Sequence, residues 1–274
     1  MKRPELLLGA VLVSVAAFVG FEARSAPPRV VTGSAAADSV AIGGTTEGLG
    51  LSHMRRSILP PPPPRDYADI SARLAAGRGS TYLDDILMAR DSSIARWVDR
   101  SENPILVWVQ PRPGLKDFWP EFRDRARDAF YTWSSVGVPI RFLFIDDSAA
   151  AEVRLRWVDR FAEAAAGKTF WARDQNWWIV DADIEIALHR PTGEAYDGQA
   201  IRAITLHEVG HLIGLDHSPH ADDIMAPRVR VLGLSPTDVR TAALIYTLPP
   251  GSVLSPGTPR PPRAPRAPRA PRAP

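Results

Sequence analysis

Three of the six histidines fall within eleven residues, in the segment His207-Glu208-Val209-Gly210-His211-Leu212-Ile213-Gly214-Leu215-Asp216-His217. On a helix, His207 and His211 project from one face, so two imidazoles can converge on a single ion. His217, six residues further on, reaches the same ion only if the helix ends and the chain turns back. Gly214 is the residue there able to take a left-handed backbone. Three neutral imidazoles leave the fourth position of a tetrahedral zinc to water, which is the open arrangement of a catalytic site. Glu208 follows the first ligand and can lean toward that water as general base, then return the proton to a leaving amine. This spacing predicts hydrolysis of an amide bond. His-Glu-x-x-His alone is a weak signal, whereas the eleven-residue form with its glycine is specific.

These residues need elements to hold them. The zinc motif sits on an expected helix from about Gln199 to Ile213. Before it, Ile105 to Gln110 reads as a strand. A helix then starts at Trp119-Pro120, carries Phe122, Ala126, Ala129, Phe130 and Trp133 on one stripe, and ends at Gly137. Ile140 to Ile145, the alternating Val153, Leu155 and Trp157, and Asp183 to Leu188 read as further strands. A last helix begins at Ser235 as N-cap, with Pro236 at its first position and Asp238 three residues after the cap, and runs to about Tyr246. Strands interleaved with one large helix predict a mixed α/β sheet.

The chain has 274 residues, 45% of them hydrophobic and 23% charged, enough to bury a sizeable core. It contains no cysteine, so any metal must be held by His and carboxylates. Of its 33 basic residues, Arg260, Arg263, Arg266, Arg269 and Arg272 lie in an acid-free Pro-Arg-Ala tail. The slight excess over 31 acids therefore belongs to the tail, and a nucleic-acid-binding core is not indicated. Residues 1–25, with Lys2 and Arg3 before an apolar run, read as an export signal or a retained membrane anchor. Residues 26–65 read as a disordered, Pro-rich linker holding the isolated His53. Residues 66–103 read as a pro-region or an N-terminal lap of the main domain, 104–250 as the main domain, and 251–274 as an extended tail. The tail's charge suits contact with anionic envelope polymers or lipid headgroups. An exported monomer is expected.

The long zinc motif, Ser218 directly after it, and Ile224-Met225-Ala226-Pro227 resemble the matrixin branch of the metzincin endopeptidases, over about Pro104 to Tyr246. Leu234-Ser235-Pro236-Thr237-Asp238 with Tyr246 is similar to the matrixin C-terminal helix. The resemblance implies an α/β (α+β) fold with a twisted, mixed five-stranded sheet, two long helices, a methionine turn and a C-terminal helix. It implies one catalytic zinc on His207, His211 and His217, Glu208 as the catalytic base, Gly214, Met225 and Pro227 supporting the site, and residues Pro227 to Leu232 walling a substrate pocket. An extended protein or peptide substrate would add to an edge strand at Ala182, Asp183, Ile184, Glu185 and Ile186.

The sequence also departs from the family. Without cysteine, thiol-based latency is impossible. Thr237 stands where the family often has the first of two acids that receive a freshly cut N-terminus. Only His189 is available for a second, structural zinc; it reads as a surface or cleft-edge residue, and no such site is predicted. Asp174, Asp181, Asp183, Glu185, Glu194 and Asp197 offer oxygen ligands for calcium, but their spacing matches no calcium loop. Trp171, Trp177 and Trp178 serve either to grip substrate or to pack a loop. Two other readings stay open: an envelope-associated peptide-binding module with vestigial zinc, and a zinc hydrolase acting on cell-wall peptides.

Overall fold

The computed structural model describes residues 59–162 and 164–255. Two short helices come first, α1 (Tyr67–Gly77) and α2 (Leu83–Ala89), then the short strand β1 (Ser93–Ile94) and the long strand β2 (Arg100–Val109). Helix α3 (Glu121–Ser134) leads into strands β3 (Ile140–Phe144), β4 (Val153–Val158), β5 (Gly167–Arg173) and β6 (Ile179–Ala187). Helix α4 (Gly198–Leu212), helix α5 (Pro236–Thr247) and strand β7 (Gly251–Ser252) complete the chain.

Five strands form one mixed sheet in the order β3-β2-β4-β6-β5. The β2/β3, β2/β4 and β4/β6 pairs are parallel, and only β5 runs antiparallel, against β6. Alternation explains which face is buried. Val153, Leu155 and Trp157 of β4 point into the core, while Arg154 and Arg156 point the other way and pair with Asp181 and Asp183 of β6. The inner face is covered by α3 and α4. The predicted stripe of α3, Phe122, Ala126, Ala129, Phe130 and Trp133, is buried throughout, and the Trp133 indole N–H donates to Leu206 O of α4 at 2.8 Å. The expected class, a mixed five-stranded sheet with two long helices, is the class observed.

The boundaries differ from those expected. Residues 66–103 lie on the main domain, in line with the second of their two readings, a lap and not a separate unit. β2 begins at Arg100, β1 pairs with β7 through Ser93↔Ser252 and Ile94↔Gly251, and Tyr82, Leu83, Ile86, Ile94 and Trp97 belong to the common core. The fold therefore continues past residue 250, into what was read as tail. It also starts earlier. Pro60 O accepts from the Trp178 indole and Arg65 donates to Pro250 O at 2.7 Å, so the end of the supposed linker lies against the body. Local composition marks these stretches as poor in apolar residues, but the partners that order them are more than a hundred positions away. The export segment, His53 and the Pro-Arg-Ala repeats lie outside the described residues. Among the described residues no helix is long and apolar enough to cross a membrane.

Candidate active site

Helix α4 starts with the Asp197 carboxylate accepting from Ala200 N at 2.8 Å and is buried from Ala203 to Leu212. It ends where the sequence requires. Gly214 has φ +107°, and Leu215 N reaches back to Gly210 O at 3.0 Å. A Cβ on Gly214 would stand 2.5 Å from Ala95 O, so both the turn and the neighbouring chain demand glycine. The turn returns His217 beside the helix, its ring centroid 5.4 Å from that of His207 and 4.9 Å from that of His211.

Ring nitrogens of these three residues lie within 4.8 Å of one another, the one such cluster of metal-ligating groups among the described residues. His207 Nδ1 donates to Ile224 O at 2.7 Å and His211 Nδ1 to Leu215 O at 3.2 Å. Those carbonyls fix the tautomers and leave the two Nε2 lone pairs facing each other at 3.1 Å. The separation is close to the roughly 3.3 Å edge of a tetrahedron with Zn–N bonds of about 2.0–2.1 Å. His217 Nε2 is buried without a hydrogen-bond partner. Burial and the neighbouring His217 push His207 down to about 3, and burial lowers His211 and His217 as well, so all three rings are neutral ligands near neutral pH. An all-nitrogen set with convergent lone pairs and an orphaned ring nitrogen fits zinc.

Glu208 is fully buried. Its Oε2 accepts from Thr169 Oγ1 of β5 at 2.7 Å, and the same hydroxyl lies 3.0 Å from Glu208 O. Oε1 has no partner, and a Cβ at Gly167 would come within 2.5 Å of it. The carboxyl is thus held against the first residues of β5, Gly167 to Thr169. Burial pushes it up to about 8, with the Thr169 hydroxyl opposing. It holds or releases a proton near neutrality, as a general acid–base must.

Met225 is buried and packs on Gly210 of α4, where a side chain would collide with its sulfur; its carbonyl accepts from Ser218 N at 2.9 Å. Pro227 is exposed, and Val229 is buried within the wall segment. Two acids hold this turn. Asp223 accepts from Ser218 Oγ and Ser235 Oγ, and Asp238 Oδ2 accepts from Ile224 N and Ser235 N, each at 2.9 Å. Asp238 is also the N3 member of the α5 capping box, so one carboxylate closes the helix and supports the backbone that orients His207.

Two expectations need correction, and one open choice is decided. Ala182, Asp183, Ile184, Glu185 and Ile186 are not at an edge: β6 pairs with β4 on one side and β5 on the other, so an added strand finds no free backbone. The edge beside Glu208 is β5, which the sequence reading passed over. Its buried alternation Gly167, Thr169, Trp171 was the available signal. His189 is not a surface residue: it is 5% exposed, with Nε2 3.0 Å from Asp117 and Nδ1 2.9 Å from Asp159. Trp171 and Trp178 are buried and Trp177 lies under Arg173 at 3.6 Å, so these rings pack the fold. Of the acids considered for calcium, Asp174 caps a turn at Asn176 and Trp178. Asp181 and Asp183 meet Arg154, Glu194 meets Arg190, and Asp197 caps α4.

Residues 161–247 match the family profile described as Matrixin. Metalloendoproteinase 1-MMP of Arabidopsis thaliana is 27% identical over 141 residues, covering 44% of this chain and 36% of that protein. The chain thus spans about a third of the length of this curated relative. The crystal structure of myroilysin matches over 56% of this chain and 86% of its own, at 12% identity and a TM-score of 0.39. The matched segment holds the edge strand, the histidine helix and its turn, the methionine turn and the capped last helix, so over these residues the chain is similar to the matrixins.

Proposed function

We propose that the chain is a zinc-dependent endopeptidase that hydrolyses peptide bonds of extended protein segments laid along β5. One observation carries this reading: three neutral imidazoles converge, and the carboxyl that follows the first of them in sequence is fully buried with one oxygen lacking a hydrogen-bond partner. Zinc, held by His207, His211 and His217, supplies a Lewis acid and an acidified water when bound. The chain's own residues then do the proton work. Thr169 pins one oxygen of Glu208, leaving Oε1 to take a proton from the attacking water and pass it to the leaving amine. An extended substrate would add as a strand beside β5, the end strand of the sheet, which among the described strands pairs only with β6. A base poised in this way has no duty in a peptide-binding module. We place the enzyme outside the cytoplasm, on the export-like residues 1–25.

The test is a substitution pair assayed on an unfolded protein substrate, with bound zinc measured alongside. Glu208→Gln is expected to keep one zinc per chain and lose turnover by about 10²–10⁴-fold. His211→Ala is expected to lose both. Full turnover in the Glu208→Gln protein would overturn the reading.

A further inference from the structure

We propose that residues 82–97 are a permanent brace of the turn between His211 and His217, with Arg90 as its positioning residue, so that the metal site forms with this segment in place and is lost when it is removed. The inference rests on the metal-site reading above but not on peptide being the substrate.

Arg90 follows α2 and its side chain is only 6% exposed. Its guanidinium spans three consecutive residues of the turn: Nη1 donates to Gly214 O at 2.8 Å, Nη2 to Leu215 O at 2.8 Å, and Nε to Asp216 Oδ2 at 3.3 Å. Two of these contacts lead to a ligand. Leu215 O is the carbonyl that accepts from His211 Nδ1, and Asp216 Oδ1 accepts from His217 N at 2.8 Å. The same guanidinium stands 5.5 Å from the centre of the Trp171 ring, so it also joins the turn to β5. These carbonyls lie just past the C-terminus of α4, where a cation is favoured and where a forked donor fits two oxygens that an ammonium cannot bridge.

The rest of the segment points to the same place. The Trp97 indole donates to Leu212 O at 2.9 Å, and Ala95 O fills the space against Gly214. Tyr82 Oη donates to Asp238 Oδ1 at 3.1 Å; the other oxygen of Asp238 holds Ile224 N, and Ile224 O orients His207. All three ligands therefore have outer hydrogen-bond partners that trace back to residues 82–97. The segment is fastened at its far end by the β1/β7 pair. Its removal would leave Asp216, Asp238 and three helix-end carbonyls short of donors in a buried setting, at a cost no pro-region with a temporary role would impose. Burial lowers the Arg90 pKa and Asp216 opposes this, a balance in keeping with a cation held in the interior by its partners.

The test uses the full chain with Arg90→Met and Arg90→Lys, and Arg73→Ala in the exposed Arg73–Asp69 pair as control. Zinc affinity is read by competition with a chelator, the ligand set by the visible spectrum of the cobalt(II) form, and folding by the melting of the metal-free protein. Arg90→Met is expected to bind zinc about 10–100-fold more weakly, with an altered cobalt spectrum, and Arg73→Ala to match the unsubstituted chain. Wild-type affinity and spectrum in a folded Arg90→Met protein would overturn the proposal. If Arg90→Met does not fold, Arg90→Lys decides, since it keeps a charge beside Asp216 but cannot bond both carbonyls. Weakened zinc binding with unchanged melting supports the brace, and unchanged binding refutes it. An unsubstituted chain that binds zinc but cleaves no peptide would instead remove the endopeptidase reading and leave the brace standing.

Discussion

Four residues at the centre of the site carry opposite proton preferences, and their balance can be measured on the chelated protein. His207 ordinarily titrates near 6.5, but burial and His217 push it down to about 3 in the fold. Between those values the unfolded chain binds protons that the folded chain refuses, so stability falls as pH is lowered from about 6.5. His211 and His217, shifted in the same direction, add to this limb. Glu208 does the reverse. Its usual value of 4.5 rises to about 8, so the folded state keeps a proton that the unfolded state has released, and its contribution to stability falls as pH rises from about 4.5 to 8, unopposed by the histidines above about 6.5. The melting temperature of the chelated protein is therefore expected to peak near pH 6.5. Glu208→Gln should abolish the decline on the alkaline side and keep the acid limb. A chelated Glu208→Gln protein with an unchanged alkaline decline would show that another group is responsible.

At the scale of elements, α5 matters through its first turn. Ser235 caps the helix and Asp238 closes the box, yet Asp238 also takes Ile224 N from the methionine turn and Tyr82 Oη from the N-terminal segment. Asp238→Ala removes one buried acceptor and strands three donors, an expected loss of about 3 kcal/mol in urea unfolding. Ser235→Thr should stay within about 0.5 kcal/mol of the unsubstituted chain, because threonine caps nearly as well. Strand β5 is positioned by its antiparallel pairing with β6, and its Thr169 and Gly167 lie over Glu208. The edge strand therefore both forms one end of the sheet and seats the Glu208 carboxyl.

At the scale of the whole molecule, residues 67–97 and the sheet share one core. Tyr82, Leu83, Ile86, Ile94 and Trp97 are each at most 2% exposed. Burial of such side chains contributes about 1.5–3 kcal/mol each, a sum comparable to the roughly 5–15 kcal/mol total stability of a domain. A chain that begins at Arg100 is expected to lack a cooperative melting transition, whereas one that begins at Leu59 should melt like the full chain; differential scanning calorimetry of the two decides. Whatever depends on near neighbours was legible along the chain. Helical spacing put His207 and His211 on one face, Gly214 could make the turn, Ser235-Pro236 could start a helix, and the alternation in β4 could bury one side. Tertiary structure alone decided that β5 and not β6 is the edge, because strand order is a choice among partners and both strands show similar alternation. It alone decided that Arg90 serves a turn 124 positions away, because a lone arginine in a polar stretch looks like a solvated charge until the fold closes carbonyls around it.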